Sequence, residues 1–439
     1  MTNYNQKIVI AGAGISGLSA GFFLKKLGYH NITFIEASDR PGGRMKTEKI
    51  DGYSLDYGFH YLLTASPFAN LILDYKHLNL KYIKQGALIM KRGKIKKIVD
   101  PFKNPILGLN MWFSSLWTWH DKKIIVKRRA ELKLTNETSI FEKYEVKTAS
   151  ILRKKRFSNK IIKNFFEPFF SSIFMENELS TSRRVFDYHF KLMAEGEMAL
   201  PALGIEQIPL QIASKLEKAI FIFNTKALEY KEKVVTLSNG QTIPADIFVI
   251  ATEQNSLYST LTKQPLKKDH RSATCLYFSA DVKPFTEPMM CLNGNSPKLV
   301  SSVNVLTNIS EAYAPPGKEL IAVSLNGFEK PDNALLEREV KEELELEFGK
   351  NVYNWKLIKV YRIDYAIPNL DFVLGKRQIK ELRVDKSTYV CGDHLLYGNL
   401  NAAVKSGKMV SEIIHKDFNK GLKGEKKKRY DNIFDDSDD

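Results

Sequence analysis

The stretch AGAGISGLSAGFFLKKLGYHNITFIEASDRPGGRM, residues 11–45, decides the fold of this 439-residue chain. It begins with three closely spaced glycines and ends with a second glycine pair followed by an arginine. Glycine has no Cβ, so another backbone or a ligand can approach the chain more closely there than at any other residue. Two such clusters at the ends of one short unit therefore predict two places of close approach.

The residues around the first glycine cluster predict a strand, a turn, a helix, a second strand and an acidic residue, in that order. The short apolar runs at 7–11 and 32–35 are typical of buried parallel strands. The helix is predicted over 18–27, with Gly28 just beyond its end. This order, with G-x-G-x-x-G in the turn, is typical of a dinucleotide-binding unit.

Each part of this unit has a physical role in holding a dinucleotide. Gly12 permits the tight turn, Gly14 lets the pyrophosphate approach the backbone, and Gly17 lets the helix pack against the strand. Glu36 stands 19 residues after Gly17, where its carboxylate can bind ribose hydroxyls. The phosphates would also meet N–H groups at the start of the helix, at Ile15 and Ser16. The alternative is a glycine-rich turn in an ordinary βαβ unit.

Composition limits the class of protein. A chain of this length suits two or three domains, and 44% hydrophobic residues with 26 Phe and 19 Tyr can form a large core. The formal charge of +16 favours anionic partners. However, the lysines are scattered, and no zinc-finger or RNA-binding motif accompanies them. We therefore expect no nucleic-acid partner.

The cysteines argue against a disulfide framework. Cys275, Cys291 and Cys391 form no CxxC pair, and no histidine cluster has zinc-binding spacing. Such a sparse, odd set fits a reducing compartment. The apolar stretch at 8–24 runs on into the patterned unit, so it is not interpreted as a signal peptide. No run of about 20 apolar residues predicts a membrane-spanning helix. We expect a cytoplasmic protein without a metal site.

The second glycine pair narrows the choice of dinucleotide. Residues 36–44, EASDRPGGR, follow the pattern E-x-x-x-R-x-G-G-R. This pattern resembles the one in the superfamily of flavin-containing amine oxidases, phytoene desaturases and protoporphyrinogen oxidases. The resemblance implies that the diglycine wraps the pyrophosphate side of FAD and that the arginines lie near the phosphates and the ribityl chain. The residues so implicated are Ala37, Arg40, Gly42, Gly43 and Arg44. The alternative for Arg44 is a surface charge.

A second landmark of the superfamily follows at 54–60, SLDYGFH. It resembles a D-x-G turn that passes close to the isoalloxazine ring. The resemblance implies contacts from Gly58, Phe59 and His60. His60 is also a weak candidate for a catalytic acid or base. The alternatives are that it packs at the flavin edge or takes neither role.

The stretch YVCGDHLLYGNLNAAV, residues 389–404, resembles the last FAD motif of the superfamily. A buried strand over 389–391 leads into it, and a helix begins near Asn399. The resemblance implies that Asp393 binds the ribityl or phosphate side and that helix amides face the flavin O2 carbonyl. The implied contact residues are Gly392, Asp393, Asn399, Leu400 and Ala403. The alternative for Asp393 alone is a helix cap.

A third region closes the predicted cofactor domain. Strands are predicted over 219–223, 233–237 and 247–251. By resemblance, the backbone at Lys226 contacts adenine, and Ala251 ends a strand beside the cofactor.

The predicted fold class is α/β. It combines a Rossmann-like FAD domain of the glutathione reductase type, amine oxidase-like, with an interleaved α+β substrate domain. Residues 1–85, 200–265 and 375–420 are assigned to the FAD domain, and residues 86–199 and 266–374 to the substrate domain. The last segment, 421–439, has a basic run followed by an acidic run and is predicted to be a disordered tail.

The chemistry that the resemblance implies is hydride transfer to flavin N5, which needs little from the protein. Amine oxidases of the superfamily usually carry a lysine near N5, whereas the best register places Thr274 there. Asn399 stands where those oxidases carry a tyrosine. Cys391 is not placed to bond the flavin, so FAD is expected to be non-covalent. We predict dehydrogenation or desaturation of a lipophilic small molecule. The alternatives are a flavin amine oxidase, a redox-neutral flavin isomerase and a non-catalytic FAD-binding protein.

The segment GLNMWFSSLWTWHDKK, residues 108–123, holds Trp112, Trp117 and Trp119 followed by lysines. One interpretation is an aromatic wall, or an entrance that dips into a membrane. Nearby basic residues would then contact an anionic bilayer peripherally: Lys122, Lys123, Lys127, Arg128 and Arg129. The alternative is a packed core helix with ordinary surface lysines. The oligomeric state is left open.

Overall fold

The computed structural model describes residues 4–100, 102–103, 117–253, 255–265, 269–327, 332–375 and 382–418. Its strands are β1 (Ile8–Ala11), β2 (Ile32–Ile35), β3 (Thr47–Ile50), β4 (Tyr53–Asp56), β5 (Leu62–Leu63), β6 (Leu80–Ile83), β7 (Gly86–Lys91), β8 (Lys94–Val99), β9 (Met198–Pro201), β10 (Ile220–Ile222), β11 (Ala227–Lys231), β12 (Val234–Leu237), β13 (Thr242–Pro244), β14 (Ile247–Ile250), β15 (His270–Ala280), β16 (Cys291–Asn293), β17 (Val300–Val305), β18 (Glu319–Asn326), β19 (Lys356–Pro368) and β20 (Thr388–Val390).

The helices of the described ranges are α1 (Ile15–Lys26), α2 (Pro67–Asn70), α3 (Trp119–Leu134), α4 (Glu137–Glu142), α5 (Thr148–Lys154), α6 (Asn159–Ile161), α7 (Glu167–Phe174), α8 (Arg183–Glu195), α9 (Gln207–Ser214), α10 (Ser256–Thr262), α11 (Asn333–Phe348) and α12 (Leu400–Phe418). A π-helical turn, Ile162–Phe166, joins α6 to α7.

A five-stranded parallel sheet forms the centre of one half of the described structure, in the order β10-β2-β1-β14-β20. Its three central strands are buried along their whole length and are apolar except for Thr33. That pattern is typical of parallel strands covered on both faces. The α/β fold class with a Rossmann-like sheet is therefore confirmed.

Two helices pack against each other on this sheet. Helix α1 buries ten of its twelve residues, and α12 crosses it so closely that a Cβ at Gly407 would lie 2.6 Å from the carbonyl oxygen of Ser16. The N-terminal and C-terminal parts of the chain are therefore joined backbone to backbone, because only glycine fits at such a crossing.

A seven-stranded mixed sheet forms the centre of the other half, in the order β19-β15-β18-β17-β16-β7-β8. Only the β16–β7 pair is parallel among these described strands. Alternate residues of β15 face different cores: Cys275 and Tyr277 belong to the large central core, whereas Leu276 and Phe278 belong to the core under α11. This alternation is the two-residue period of a strand.

The helices between β8 and β9 pack around phenylalanines. Phe166, Phe170 and Phe186 are nearly fully buried, and the rings of Phe170 and Phe186 meet edge to face with centroids 4.7 Å apart. Three smaller sheets have the orders β3-β4, β5-β9-β6 and β11-β12-β13.

The first helix begins earlier than predicted. The sequence predicts it over 18–27, but α1 starts at Ile15 and follows Gly14 as its N-cap. Gly17 is thus inside the helix, where it meets the glycine turn. The predicted strand at 32–35 is confirmed residue for residue, and the strand at 7–11 is confirmed from Ile8.

The tryptophans of the segment 108–123 differ in burial at the N-terminus of α3. Trp117 is half-buried, whereas Trp119 begins α3 with 61% of its surface exposed. The alternative interpretation, a packed core helix, is therefore wrong for Trp119. Trp112 and the tail at 421–439 lie outside the described residues. In the part of the chain that the structure describes, no helix is both long and apolar enough to cross a membrane.

The crossing of α1 and α12 generates a stability prediction. Gly407→Ala should lower the free energy of unfolding by about 1–3 kcal/mol, because its Cβ would press on the α1 backbone. Lys416→Ala, an exposed position of the same helix, should change it by less than about 0.5 kcal/mol. Chemical denaturation followed by circular dichroism measures both. Equal stability of the two variants would contradict the contact.

Candidate cofactor site at the carboxyl edge of the parallel sheet

Four strand ends meet at one edge of the parallel sheet. Ala11 on β1 pairs with Ile35 on β2 and Ile250 on β14, and Ile250 pairs with Val390 on β20. The residues that follow these strands include the predicted site residues Gly12, Glu36, Ala251 and Gly392. Ligands of open parallel sheets bind at this carboxyl edge, so the structure brings distant predicted residues to one place.

The glycine turn after β1 has no room for side chains. Gly12 has φ of +103°, and a Cβ there would lie 2.8 Å from the carbonyl oxygen of Ala251. A Cβ at Gly17 would lie 2.1 Å from the carbonyl oxygen of Gly12. The turn therefore requires glycine at its first and last positions, and the N-terminus of α1, with Ile15 and Ser16, is held at the sheet edge.

The second glycine pair lies directly on the first turn. Gly14 and Gly42 form an isolated parallel bridge, and the N–H of Gly42 donates to the carbonyl of Ala13 over 3.0 Å. A Cβ at Gly43 would lie 3.2 Å from Cα of Gly14. Bare backbone thus lines both sides of a cradle, which is the surface that a pyrophosphate needs for close approach.

The Glu36 carboxylate lies behind this cradle. It is 8% exposed and accepts hydrogen bonds from Ala13 N at 2.8 Å, Ser38 N at 2.9 Å and Ser38 Oγ at 2.6 Å. An ionised carboxylate has about four acceptor positions, so three bonds leave capacity for a ribose hydroxyl. Glu36 also organises the glycine turn itself. Ala37, the next residue, is exposed.

The two predicted arginines lie in different surroundings. Arg44 donates to Asp393 Oδ1 over 2.6 Å and to the carbonyl of Ala366 over 3.0 Å, and its guanidinium lies 5.2 Å from the ring centre of Tyr365. Arg44 therefore joins the glycine segment at 36–44 to the C-terminal motif around Asp393. Arg40 is bound by Glu206, Asp39 and the carbonyl of Thr47, so it links the glycine segment to the start of α9.

Helix α12 begins beside Asp393. Asn399 caps it, because its Oδ1 accepts from the N–H of Ala402 over 2.9 Å and its carbonyl accepts from Ala403. The Asn399 cap accepts no hydrogen bond from the first two helical N–H groups, those of Leu400 and Asn401. They lie at the positive end of the helix dipole, which suits a carbonyl that gains negative charge.

The backbone at Lys226 is already hydrogen-bonded within the protein. Its N–H donates to Ser238 Oγ over 2.9 Å and its carbonyl accepts from Ser238 N over 2.8 Å. The structure thus pairs both backbone groups of Lys226 with Ser238, and a contact with adenine would have to share them.

These features match a known family across most of the chain. Residues 15–415 match the family described as flavin containing amine oxidoreductase. The chain belongs to this family. It is therefore a flavoprotein oxidoreductase, and the prediction of the superfamily is confirmed.

Relatives of several activities share this similarity. Coproporphyrinogen III oxidase of Staphylococcus aureus is 24% identical over 173 residues, 38% of this chain and 36% of that protein. The 4,4'-diapolycopen-4-al dehydrogenase of Metabacillus indicus is 22% identical over 317 residues, 63% of this chain and 62% of that protein. Both matches span less than two thirds of the relative.

A solved structure agrees with the fold over nearly the whole chain. An oxidoreductase from Methanosarcina mazei superposes with a TM-score of 0.70 at 16% identity, and covers 92% of this chain and 99% of that one. At this identity the likeness shows the fold alone.

The D-x-G turn of this flavoprotein rests on a buried polar network. Asp56 accepts from Thr47 Oγ1 at 2.6 Å, Ile205 N at 3.0 Å and Tyr313 OH at 2.8 Å. Burial raises the pKa of Asp56 to about 6. His60, within the turn, lies 3.0 Å from the carbonyl of Tyr57 through Nε2, and burial lowers its pKa.

The predicted register of β15 is wrong by one residue. Thr274, predicted beside the flavin, points to the other side of the sheet and donates to the carbonyl of Gly327 over 3.0 Å. Cys275 faces the D-x-G turn instead and interacts with the backbone of Phe59. The error follows from the two-residue strand period, since one step reverses every side chain. Burial raises the pKa of the Cys275 thiol to about 12, so it is a neutral group.

Sequence reasoning missed several residues at this site. Tyr365 under Arg44 and Tyr313 on Asp56 come from the other half of the chain. Tyr61, directly after the D-x-G turn, bonds to His189 on α8. Local patterns carry no signal for such pairs. Only Tyr61 stood close enough to a recognised motif to be found.

The Glu36 carboxylate allows a matched test. Glu36→Ala should weaken flavin binding roughly tenfold or more, since it removes charge-assisted hydrogen bonds worth about 1.5–3 kcal/mol. Asp39→Ala, three residues later and exposed, should leave the affinity nearly unchanged. Titration of apoprotein with flavin, followed by fluorescence quenching, compares them. Equal affinities would reject the role of Glu36.

Asp56 predicts a pH dependence of stability. A carboxyl whose pKa is raised on folding binds its proton more tightly when folded, so stability falls as pH rises through that pKa. A shift from 3.8 to about 6 corresponds to a loss of about 2 kcal/mol between pH 4 and pH 7. Asp56→Asn should lack this component, and denaturation at both pH values measures the difference. A variant with the wild-type pH slope would contradict the assignment.

Proposed function

We propose that this protein is an FAD-dependent oxidoreductase that transfers a hydride from a lipophilic small molecule to the flavin. The observation that carries the proposal is the backbone cradle formed by Gly14 with Gly42 and Gly43, with the Glu36 carboxylate behind it. We also propose that 1–85, 200–265 and 375–420 form the FAD domain, 86–199 and 266–374 form the substrate domain, and 421–439 is a tail outside both.

The chain's own residues would divide the binding of FAD among them. The cradle and the N-terminus of α1 would take the pyrophosphate, and Glu36 would accept from ribose hydroxyls. The Arg44–Asp393 pair would meet the ribityl side, and the first N–H groups of α12 would face the flavin carbonyl. When bound, FAD supplies the hydride acceptor.

An apolar cavity in the substrate half supports a lipophilic substrate. Most of its described lining residues are aromatic or aliphatic, and they come from α3, α7, α8 and the adjoining strands. They include Trp117, Phe165, Phe169, Phe170, Phe190 and Met193. Gln85, Asp100, Lys122 and Arg129 are the polar residues of this lining, and Asp100 and Arg129 pair with each other over 2.7 Å. Such a lining favours an uncharged ligand body.

In the same region, fewer basic residues are available for a membrane contact than the sequence predicts. Lys122 is buried and lies 4.2 Å from the ring centre of Trp119, Arg128 is buried against Asp187, and Arg129 pairs with Asp100. Only Lys123 and Lys127 of the five predicted basic residues are exposed. They share the outer face of α3 with Trp119 and Val126, and Val126 also lines the cavity.

The first test concerns the cofactor. Cys391 is buried and free, and burial raises its thiol pKa to about 12, which opposes attack on a flavin. Purified protein should carry FAD, and acid precipitation should release all of it into solution. Flavin retained by the washed precipitate would show a covalent link. Two measurements would separate this function from amine oxidation. Lipid extracts should reduce the bound flavin under anaerobic conditions, and a panel of amines should yield no peroxide in air.

The second test concerns the bilayer. The protein should float with anionic liposomes and not with neutral ones, because each exposed lysine near such a surface contributes about 1 kcal/mol. Lys123→Gln/Lys127→Gln should lose roughly tenfold or more in affinity, and salt should weaken wild-type binding. The charge-matched control is Lys231→Gln/Lys416→Gln, at exposed positions outside α3. Equal loss in both double variants would mean that only net charge matters.

A further inference from the structure

A tyrosine–histidine pair stands beside the D-x-G turn. Tyr61 OH and His189 Nε2 are 3.1 Å apart, and Tyr61 follows directly on the Gly58–His60 segment that would lie beside the flavin. Phe59, His60 and Tyr61 each keep part of their surface accessible, although burial lowers the pKa of His60 and raises that of Tyr61. Side chains enclosed by protein that still keep accessible surface are expected at the wall of an internal space.

The surroundings of this pair are apolar. The His189 ring meets Phe174 edge to face at 5.7 Å and Phe170 at 6.3 Å between centroids. Phe170 also lines the apolar cavity. Met193, one helical turn after His189 on α8, lines the same cavity. Phe170 thus belongs both to the surroundings of the pair and to the cavity lining, and the pair is a polar point at the edge of that aromatic wall.

The pair is neutral at physiological pH. Burial lowers the pKa of His189 to about 4, so the ring has one donor and one acceptor nitrogen at pH 7. Tyr61 stays protonated. Two neutral groups can hydrogen-bond a hydroxyl or a carbonyl oxygen, whereas they would not compensate an ammonium or a carboxylate that loses its water.

We propose that Tyr61 and His189 form a substrate-binding pair that selects lipophilic molecules with a neutral oxygen function, an alcohol or a ketone, and holds that oxygen beside the flavin turn. This inference rests on the proposed function and names the substrate class for the same site. The apolar body of the substrate would lie against the phenylalanines, and the oxygen would replace water at the pair. Tyr61 and His189 share one hydrogen bond, so one further O–H or N–H donor of the pair is left for the substrate oxygen. An analogue without that oxygen leaves this donor without a partner, so the pair discriminates against it.

The experiment measures binding rather than turnover. Flavin-loaded protein is titrated with 1-octanol, 2-octanone, octylamine and 1-fluorooctane, and the change in visible flavin absorption gives each dissociation constant. The alcohol and the ketone should bind about tenfold more tightly than the fluoroalkane, as one neutral hydrogen bond predicts. Octylamine should bind no more tightly than the fluoroalkane.

Two variants locate the preference. Tyr61→Phe and His189→Leu should each bring the four probes to within about twofold of one another, while binding of the fluoroalkane is kept. The control is Tyr230→Phe, which removes a hydroxyl bonded to the carbonyl of Ala245 over 3.2 Å, remote from the cavity lining. It should keep the full preference. Flavin content and melting midpoint identify any variant that fails to fold, and Tyr61→Phe, which loses only one hydroxyl, is the decisive variant.

The outcomes separate this inference from the proposed function. No oxygen preference in the wild type, or a full preference in Tyr61→Phe, overturns the pair. If lipid substrates reduce the flavin while the preference is absent, the proposed function stands and the pair is wrong. If the preference is present but no lipid reduces the flavin, the pair stands and hydride transfer from lipids is wrong.

Discussion

The close contact of Gly14 with the Gly42–Gly43 pair is the constraint on which the cofactor half depends. The bridge between Gly14 and Gly42 places two turns against each other with no side chain between them. This contact sets the direction in which the chain leaves β2. It thereby places Arg44 where it can reach Asp393 and starts β3 and β4, which end at the D-x-G turn. A Cβ at Gly43 would lie 3.2 Å from Cα of Gly14 and press the two turns apart, whereas a Cβ at Gly14 would lie at an ordinary 3.8 Å from Cα of Gly43.

Two ion pairs between distant segments also fix the position of the glycine segment. Arg44 with Asp393 and Arg40 with Glu206 join the glycine segment to the C-terminal motif and to the start of α9. Removing two charges from water costs much of what their attraction returns. We therefore assign these pairs to orientation more than to stability. Asp56 serves similarly at the turn, since its three hydrogen-bond donors come from three separate parts of the chain.

The Tyr61–His189 side of the space beside the D-x-G turn is bordered by neutral groups. Cys275 is a protonated thiol, and Tyr61 with His189 is an uncharged pair. Besides Tyr61, the aromatic rings that pack against His189 are those of Phe170 and Phe174. A charged substrate group placed against this pair would lose its hydration without gaining a counter-ion from the pair. This physical argument, rather than any relative's name, directs the proposal toward uncharged, largely apolar molecules.

Local residues by themselves determined the βαβ unit, the glycine turns and Glu36, because their signals lie within about 40 consecutive residues and follow from strand and helix periods. The superfamily and the α/β fold class were confirmed, whereas the FAD contacts that the resemblance implied for the remaining motifs stay predictions. The start of α1 was predicted three residues too late, because the glycine turn hides where the helix begins. The register of β15 was wrong by one residue, since the propensity of a residue does not say which way a buried strand faces. Only the tertiary structure decided which residues meet. The Arg44–Asp393 pair, the α1–α12 crossing and the Tyr61–His189 bond join segments more than a hundred residues apart. Their partners are chosen by packing of the whole chain, and no local pattern of side chains encodes that choice.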